Sequence, residues 1–221
     1  MHATIIQYPG TNRENDIRDA LHLVGIKTQI ISCGQQHPEP CDLFILPGGF
    51  SYGDYLRAGA IAATTPVMKA VCQHANRGGY VLGICNGFQI LCELGLLPGA
   101  LIRNQSLKFI CQWVLLRAHQ TSSIFTDQFD PNDVLHIPIA HMDGNYQCDT
   151  QMLKQLKNEN RIAFSYVDNI NGSCDNIAGI LSKNKRILGM MPHFENAVFE
   201  HQKKQDALPF FQSLKCYFDE K

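Results

Sequence analysis

Residues 80–89 read Tyr80-Val81-Leu82-Gly83-Ile84-Cys85-Asn86-Gly87-Phe88-Gln89, and they predict a buried strand that turns sharply into a helix. The apolar run at 80–84 is typical of a buried strand, and the apolar residues of 86–94 recur with helical spacing. Cys85 lies on the turn between them. Gly83 and Gly87 flank it where larger side chains would collide if the backbone bent enough to lift the sulfur out of the sheet. The pattern is that of a nucleophile elbow with sulfur in place of oxygen.

The position of Cys85 gives the thiol a chemical reason to be reactive. A helix that begins just after it directs unpaired N–H groups and the positive end of its dipole at the sulfur, which favours the reactive thiolate. The alternative is an ordinary buried cysteine, since free cysteine is among the most buried residue types and the chain contains nine. The motif alone does not decide between the two, so the rest of the chain has to.

Composition excludes several classes of protein. The net charge is −1 with scattered basic residues, which argues against nucleic acid or an anionic membrane as a partner. No apolar run approaches the roughly eighteen residues of a membrane helix, and the N-terminus lacks the pattern of a signal peptide. The nine cysteines are an odd number without C-x-x-C pairs, which predicts reduced thiols in the cytoplasm and no metal site.

Strand and helix signals alternate from end to end, which predicts one α/β domain over residues 1–221 with a parallel sheet. We predict strands at 4–8, 27–32, 41–46, 80–84, 109–117, 134–140, 162–167, 177–181 and 186–191. We predict helices at 16–24, 86–94 and 207–218, a partly helical stretch in 146–160, and either one long helix or two over 54–76, with Pro66 able to open the second.

A second glycine turn follows the third predicted strand. Ligand crevices of such sheets lie at the carboxyl ends of the strands, so this turn and the Cys85 turn could face each other. Gly48 and Gly49 can present backbone N–H groups without obstruction, and the N–H of Asn86 supplies another donor beside the sulfur, as an oxyanion hole requires. The alternative is an ordinary tight turn.

The last predicted strand delivers His193 and Glu195. In an extended segment, residues two apart point to the same side, so Glu195 can accept from one ring nitrogen of His193 while the other faces a thiol. The alternative is a surface histidine beside an acid. The elbow and the glycine turn favour a Cys85–His193–Glu195 triad. Asn104, Ser106 and His141 lie near strand ends, where lone polar residues are more often turn formers.

Taken together, these residues resemble the class I glutamine amidotransferases, and most closely the glutaminase subunits of phosphoribosylformylglycinamidine synthases in purine biosynthesis. The resemblance runs nearly end to end. It rests on PGTN at 9–12, PGGFSYGDYLRAGA at 47–60 and GICNGFQ at 83–89, with further support at 91–100, 103–106, 139–141 and 189–193. It implies a flavodoxin-like α/β sandwich with a central, mostly parallel sheet and helices on both faces.

The resemblance also implies a reaction. Cys85 attacks the carboxamide of glutamine, His193 protonates the departing ammonia, and Glu195 orients the histidine. A γ-glutamyl thioester forms and is hydrolysed, while the N–H groups of Gly49 and Asn86 hold the oxyanion. The residues implied in substrate binding are Gly48, Gln89, Asn104, Ser106 and His141.

The resemblance further implies an ATP-dependent synthetase partner that receives the ammonia through a channel. ATP and magnesium belong to that partner; no cofactor is expected in this chain, which lacks the G-x-x-x-x-G-K-[ST] phosphate loop. Whether a small third subunit bridges the two stays open. Two rival readings remain: a stand-alone cysteine hydrolase of the same fold, such as a γ-glutamyl peptidase or a deglycase-like protein, and an inactive regulatory relative.

Overall fold

A mixed sheet of nine strands forms the centre of the computed structural model, which describes residues 1–130 and 133–219. The strands of the described chain are β1 (His2–Gln7), β2 (Lys27–Ser32), β3 (Leu43–Leu46), β4 (Tyr80–Ile84), β5 (Ala100–Ile102), β6 (Ile110–Ala118), β7 (Val134–His141), β8 (Asn145–Gln147), β9 (Ile162–Tyr166), β10 (Ile177–Leu181) and β11 (Ile187–Met190). The helices are α1 (Glu14–Leu23), α2 (Pro66–Asn76), α3 (Asn86–Glu93), α4 (Thr150–Asn158) and α5 (Leu208–Asp219).

The order in the large sheet is β2-β1-β3-β4-β11-β10-β9-β6-β7, while β5 and β8 form a separate pair. The strands from β2 to β11 pair in parallel, and those from β11 to β7 pair antiparallel. The α/β fold with a mostly parallel core, predicted from the sequence, is confirmed. Because β3, β4 and β11 are parallel neighbours, their carboxyl ends meet at one edge.

The central strands are buried on both faces. Every residue of β3, β4 and β11 is buried, as the unbroken apolar runs of their sequences require. The helix α1 packs on β1 and β2, α2 packs on β4, and α3 packs on β3, β4 and β11. The Cys85 turn therefore lies among fully buried strands.

One predicted helix is partly wrong. The structure has α2 from Pro66, but residues 51–54 and 62–64 form only short 3-10 turns, so a single long helix over 54–76 does not exist. Tyr52, Asp54 and Leu56 have φ of 54°, 54° and 69°, in the left-handed region that a right-handed helix cannot contain. The segment from Phe50 to Leu56 is a tightly wound loop, which we call the 50–56 loop.

Candidate active site

Cys85 lies on a strained turn between β4 and α3. Its φ of 51° and ψ of −105° place a non-glycine residue in a sparsely populated region, which costs about 1–3 kcal/mol. Its N–H donates to the Met190 carbonyl of β11 at 2.7 Å, and its own carbonyl accepts from the Phe88 N–H of α3 at 3.0 Å. Strand and helix together hold the turn in the conformation of a nucleophile elbow.

The glycine after the cysteine is required by close packing. A Cβ atom at Gly87 would collide with the Leu46 carbonyl oxygen at the end of β3. A Cβ at Gly83 would lie 2.7 Å from the Gly87 backbone. The first turn of α3 can approach the sheet only because both residues lack side chains, as the sequence predicts.

His193 and Glu195 form a buried pair beside the elbow. The Nδ1 atom of His193 lies 2.7 Å from Glu195 Oε1, and both residues are buried. The expected extended segment is wrong in detail, because residues 194–196 form a 3-10 turn. Phe194 anchors that turn, with its ring 4.9 Å from Phe164 and 5.2 Å from Phe210 between ring centres. The aromatic core thus positions the two polar neighbours.

The charge environment favours a protonated His193. Burial alone disfavours the imidazolium, but Glu195 and Cys85 outweigh it and raise the pKa of His193 to about 10. Within residues 1–130 and 133–219, His193 Nε2 makes no hydrogen bond, and the Cys85 thiol donates a weak bond to the Ala140 carbonyl at 3.7 Å. Among the described residues, Nε2 of His193 is thus left unpaired in the cavity that Cys85 also lines.

The Gly49 turn fits closely against the loop after β1. Gly49 has a φ of 150°, and a Cβ there would lie 2.7 Å from both the Gly10 carbonyl oxygen and Thr11 Cα. The backbone of Phe50 donates to Gly10 at 2.9 Å, which holds the turn. In the described chain, the N–H groups of Gly49 and Asn86 donate to no protein acceptor. Both donors are available to an oxyanion.

The side chain of Asn86 links the two turns. Its Oδ1 accepts from the Ser51 N–H at 3.1 Å, and its Nδ2 donates to Gln89 Oε1 at 2.8 Å. Gln89 in turn donates to the Asp143 carbonyl at 2.7 Å. Both ends of the Gln89 carboxamide are therefore engaged, and the 50–56 loop is bonded to the residue that follows Cys85.

A cavity of about 200 Å³ opens at the elbow. It is lined by Asn12, Arg13, Gly49, Phe50, Cys85, Phe109, Cys111, Ala140 and His193. Gly48 lies just behind the lining, since a Cβ there would be 2.7 Å from His193 Cε1. The structure thus brings Cys85, His193 and Gly49 to one cavity, which suits a small substrate.

The predicted substrate-binding residues of the later strands lie apart from this lining. Asn104 is buried and fully engaged: its Nδ2 donates to the carbonyls of Lys108 and His141 at 2.9 Å, and its Oδ1 lies 3.1 Å from His141 Nδ1. Ser106 is exposed and accepts from the Lys108 N–H at 3.3 Å. In this conformation, Asn104 positions His141 and Ser106 shapes a surface turn.

His141 is buried with an open nitrogen. Burial and the nearby His193 charge lower the pKa of His141 to about 4, so the ring is neutral at neutral pH. Because Nδ1 faces the Asn104 oxygen, it carries the proton, and Nε2 is left as an acceptor with no hydrogen bond in the described chain. An uncharged acceptor is thus kept close to the charged His193.

Sequence reasoning missed the wall of the cavity opposite the elbow. Asn12 and Arg13 follow β1, and the rule that crevices form at the carboxyl ends of strands could have placed them there. Cys111 lies on β6 and Phe109 directly precedes that strand, whose position in the sheet no local pattern reveals. The pair Phe50 and Phe109, with ring centres 6.2 Å apart, forms the apolar side of the cavity.

Comparisons with known proteins show the family of this chain. Residues 1–208 match the family described as the CobB/CobQ-like glutamine amidotransferase domain. The chain belongs to this glutamine amidotransferase family. Relatives named phosphoribosylformylglycinamidine synthase subunit PurQ, from Ruegeria sp. (strain TM1040) and Cereibacter sphaeroides, are 50% and 51% identical over 215 residues, covering 97% of both chains in each case.

The amidotransferase fold is also found in a solved relative. A chain in the structure of PurLQS from Thermotoga maritima superimposes with a TM-score of 0.90 at 40% identity, covering 98% of each chain. The family and fold inferred from the motifs are therefore confirmed. In the described residues, no helix is long and apolar enough to cross a membrane.

Proposed function

We propose that this protein is the glutaminase subunit of a phosphoribosylformylglycinamidine synthase, with residues 1–221 acting as one amidotransferase domain in the cytoplasm. The observation that carries the proposal is the buried His193–Glu195 pair beside a strained Cys85 in a small cavity. The relatives named PurQ support the assignment to purine synthesis.

The first half of the reaction follows from the protonation state of His193. The Cys85 thiolate attacks the carboxamide carbon of glutamine, and the carbonyl oxygen becomes an oxyanion that accepts from the N–H groups of Gly49 and Asn86. The carbon–nitrogen bond then breaks as His193 Nε2 gives its proton to the leaving nitrogen. Ammonia departs and a γ-glutamyl thioester remains on Cys85.

The second half uses His193 in the opposite sense. Having lost its proton, the imidazole accepts one from a water molecule, whose oxygen attacks the thioester carbon. The carbon–sulfur bond breaks, glutamate leaves, and the thiolate and imidazolium are restored. Glu195 accepts from Nδ1–H in both steps, so the same nitrogen, Nε2, faces the reacting atoms throughout.

The exposed apolar surface beside the cavity is a candidate binding site for a protein partner. Large apolar side chains are exposed on the 50–56 loop and on residues 107–109, with Tyr55, Leu56 and Leu107 at 71%, 77% and 72%. Such clusters mark interaction sites more often than free surface. We propose that a PurL-like synthetase, with a small PurS-like bridging subunit, covers this mouth and receives the ammonia; the solved relative comes from an assembly named PurLQS.

The proposal is tested by measuring glutamine hydrolysis with and without the synthetase and its nucleotide ligands. We expect weak activity alone and at least a severalfold rise in the complex, because docking on the 50–56 loop acts on Asn86 through the Ser51 bond. The Cys85→Ala complex should still use added ammonium. Full activity of the isolated chain, unchanged by a synthetase that demonstrably binds, would instead indicate a stand-alone hydrolase.

A further inference from the structure

The cavity at Cys85 has to hold more than a carboxamide if its substrate is glutamine. The amino acid carries a carboxylate at the other end of its side chain, several bonds from the reacting carbon. Taking a carboxylate out of water without a partner is costly, so an amino-acid pocket needs a cation or strong donors at that distance. The triad cannot supply them, because His193 is occupied by Glu195 on one side and by the reaction on the other.

Arg13 is the permanently charged group in the lining of this cavity, which consists of described residues only. It stands at the wall formed by the loop after β1, next to Asn12 and close to Gly48, where a Cβ would lie 3.2 Å from Arg13 Cγ. Asn12 donates its N–H to the Gly48 carbonyl at 3.4 Å, which ties this wall to the turn that carries Gly49. The backbone next to Arg13 and the turn that carries Gly49 are therefore hydrogen-bonded to each other.

The guanidinium is held by one edge and free at the other. Its Nη1 donates to Asp16 Oδ2 at 2.8 Å, and the same carboxylate oxygen accepts from Asn196 Nδ2 at 3.2 Å. In the described chain, Nε and Nη2 of Arg13 make no hydrogen bond. An arginine fork pinned in this way can still present two parallel N–H donors, the geometry that suits a carboxylate.

The electrostatic surroundings agree with this role. Burial lowers the pKa of Arg13, but Asp16, Glu195 and Cys85 together raise it, so the side chain keeps its charge close to the triad. Arg13 is also the residue before α1, and the positive end of that helix dipole lies at the same wall. Both features favour an anion there.

We infer that Arg13 binds the α-carboxylate of the substrate and so selects free glutamine over compounds that carry only a carboxamide. The inference rests on the proposed function. It assigns the β1–α1 junction a specificity role: the Arg13 fork and the Cys85 elbow fix the two ends of one amino acid. Asp16 and Asn196 act as positioning residues that keep the fork turned toward the cavity.

The first test compares Arg13→Gln and Arg13→Lys with wild type, each assembled with the synthetase. A lost charge-assisted pair should raise the KM for glutamine about 10- to 100-fold while kcat stays within about threefold. Lysine should restore part of the loss. Arg18→Gln is the matched control, because Arg18 lies on the helix that Arg13 precedes, has a side chain of similar exposure, and pairs only locally with Asp19 and Asn15. Thermal melting checks that all variants fold.

The second test separates carboxylate recognition from a general electrostatic effect. The substrate is compared with its α-carboxamide analogue, in which a neutral amide replaces the carboxylate. Wild type should prefer glutamine by at least tenfold in kcat/KM, and Arg13→Gln should lose most of this preference. If Arg13→Gln lowers kcat for both compounds equally and shifts the pH profile, Arg13 serves the triad and the inference is overturned.

The experiments distinguish a failure of this inference from a failure of the proposed function. A wild-type complex that does not hydrolyse glutamine refutes the glutaminase assignment whatever Arg13 does. A wild-type complex that hydrolyses glutamine, combined with an Arg13→Gln variant that keeps its full preference for the carboxylate, refutes only the role of Arg13.

Discussion

Replacing Glu195 by glutamine should slow glutamine hydrolysis strongly without removing the nucleophile. The His193 pKa of about 10, against its ordinary 6.5, corresponds to about 5 kcal/mol in favour of the imidazolium, since one pKa unit is worth about 1.36 kcal/mol. Both Glu195 and Cys85 contribute, and the charge of Glu195 is the largest single cause that raises the pKa. A neutral amide removes this cause and leaves the burial penalty on the imidazolium.

We therefore expect kcat to fall by about 10²- to 10⁴-fold in Glu195→Gln, the upper end being the loss seen when the orienting acid of a triad is removed. Cys85→Ala should abolish hydrolysis altogether. The assay is steady-state glutamate release by the assembled complex, with Glu200→Gln, an exposed acid five residues further on, as the control. Equal activity of Glu195→Gln and wild type would remove Glu195 from the mechanism.

The same substitution should also change how the free energy of unfolding depends on pH. The raised pKa of His193 stabilises the native state fully below pH 6.5, and this contribution is lost as the pH rises through about 10. The difference in unfolding free energy between wild type and Glu195→Gln should therefore be largest near neutral and mildly acidic pH and shrink toward pH 10. Urea unfolding at several pH values measures it, and a difference that grew with pH would contradict the assigned charges.

Three further predictions concern single positions. A glutamine-shaped electrophile should label Cys85 first; peptide mapping that found Cys111, which shares the cavity, labelled sooner would refute the elbow assignment. Gly87→Ala should destabilise by about 2 kcal/mol or more in thermal melting because of its backbone clash, whereas Gly34→Ala, with its nearest atom at 3.8 Å, should be almost neutral. Because the folded-state pKa of His141 is about 4, wild type should lose stability between pH 6.5 and 4, and urea unfolding of His141→Gln should show less of that loss.

Much of the site could be predicted from local sequence because its chemistry depends on short segments. The Cys85 turn is specified by adjacent glycines that only fit a sharp bend, and His193 and Glu195 are close in the chain. Arg13 has no comparable local motif, and only its position after β1, at the carboxyl edge of the sheet, could have placed it at the cavity. The resemblance predicts that Asn104 binds substrate, but the structure shows it hydrogen-bonded to Lys108 and His141. These partners follow from the tertiary arrangement of the chain and not from the sequence near Asn104.

The sequence by itself determined the nine strands of the large sheet, the elbow and the family, but it did not predict the short pair of β5 and β8. Buried strands are apolar throughout, and a bend next to a nucleophile excludes side chains, so both leave local patterns. Tertiary structure decided that β3, β4 and β11 lie side by side, that several residues of the 50–56 loop have left-handed φ angles, and that Arg13 lines the same cavity as Cys85. These features depend on hydrogen bonds and packing between segments that are far apart in the sequence. Such contacts contribute to stability only in the folded protein, so they leave no pattern in the local sequence.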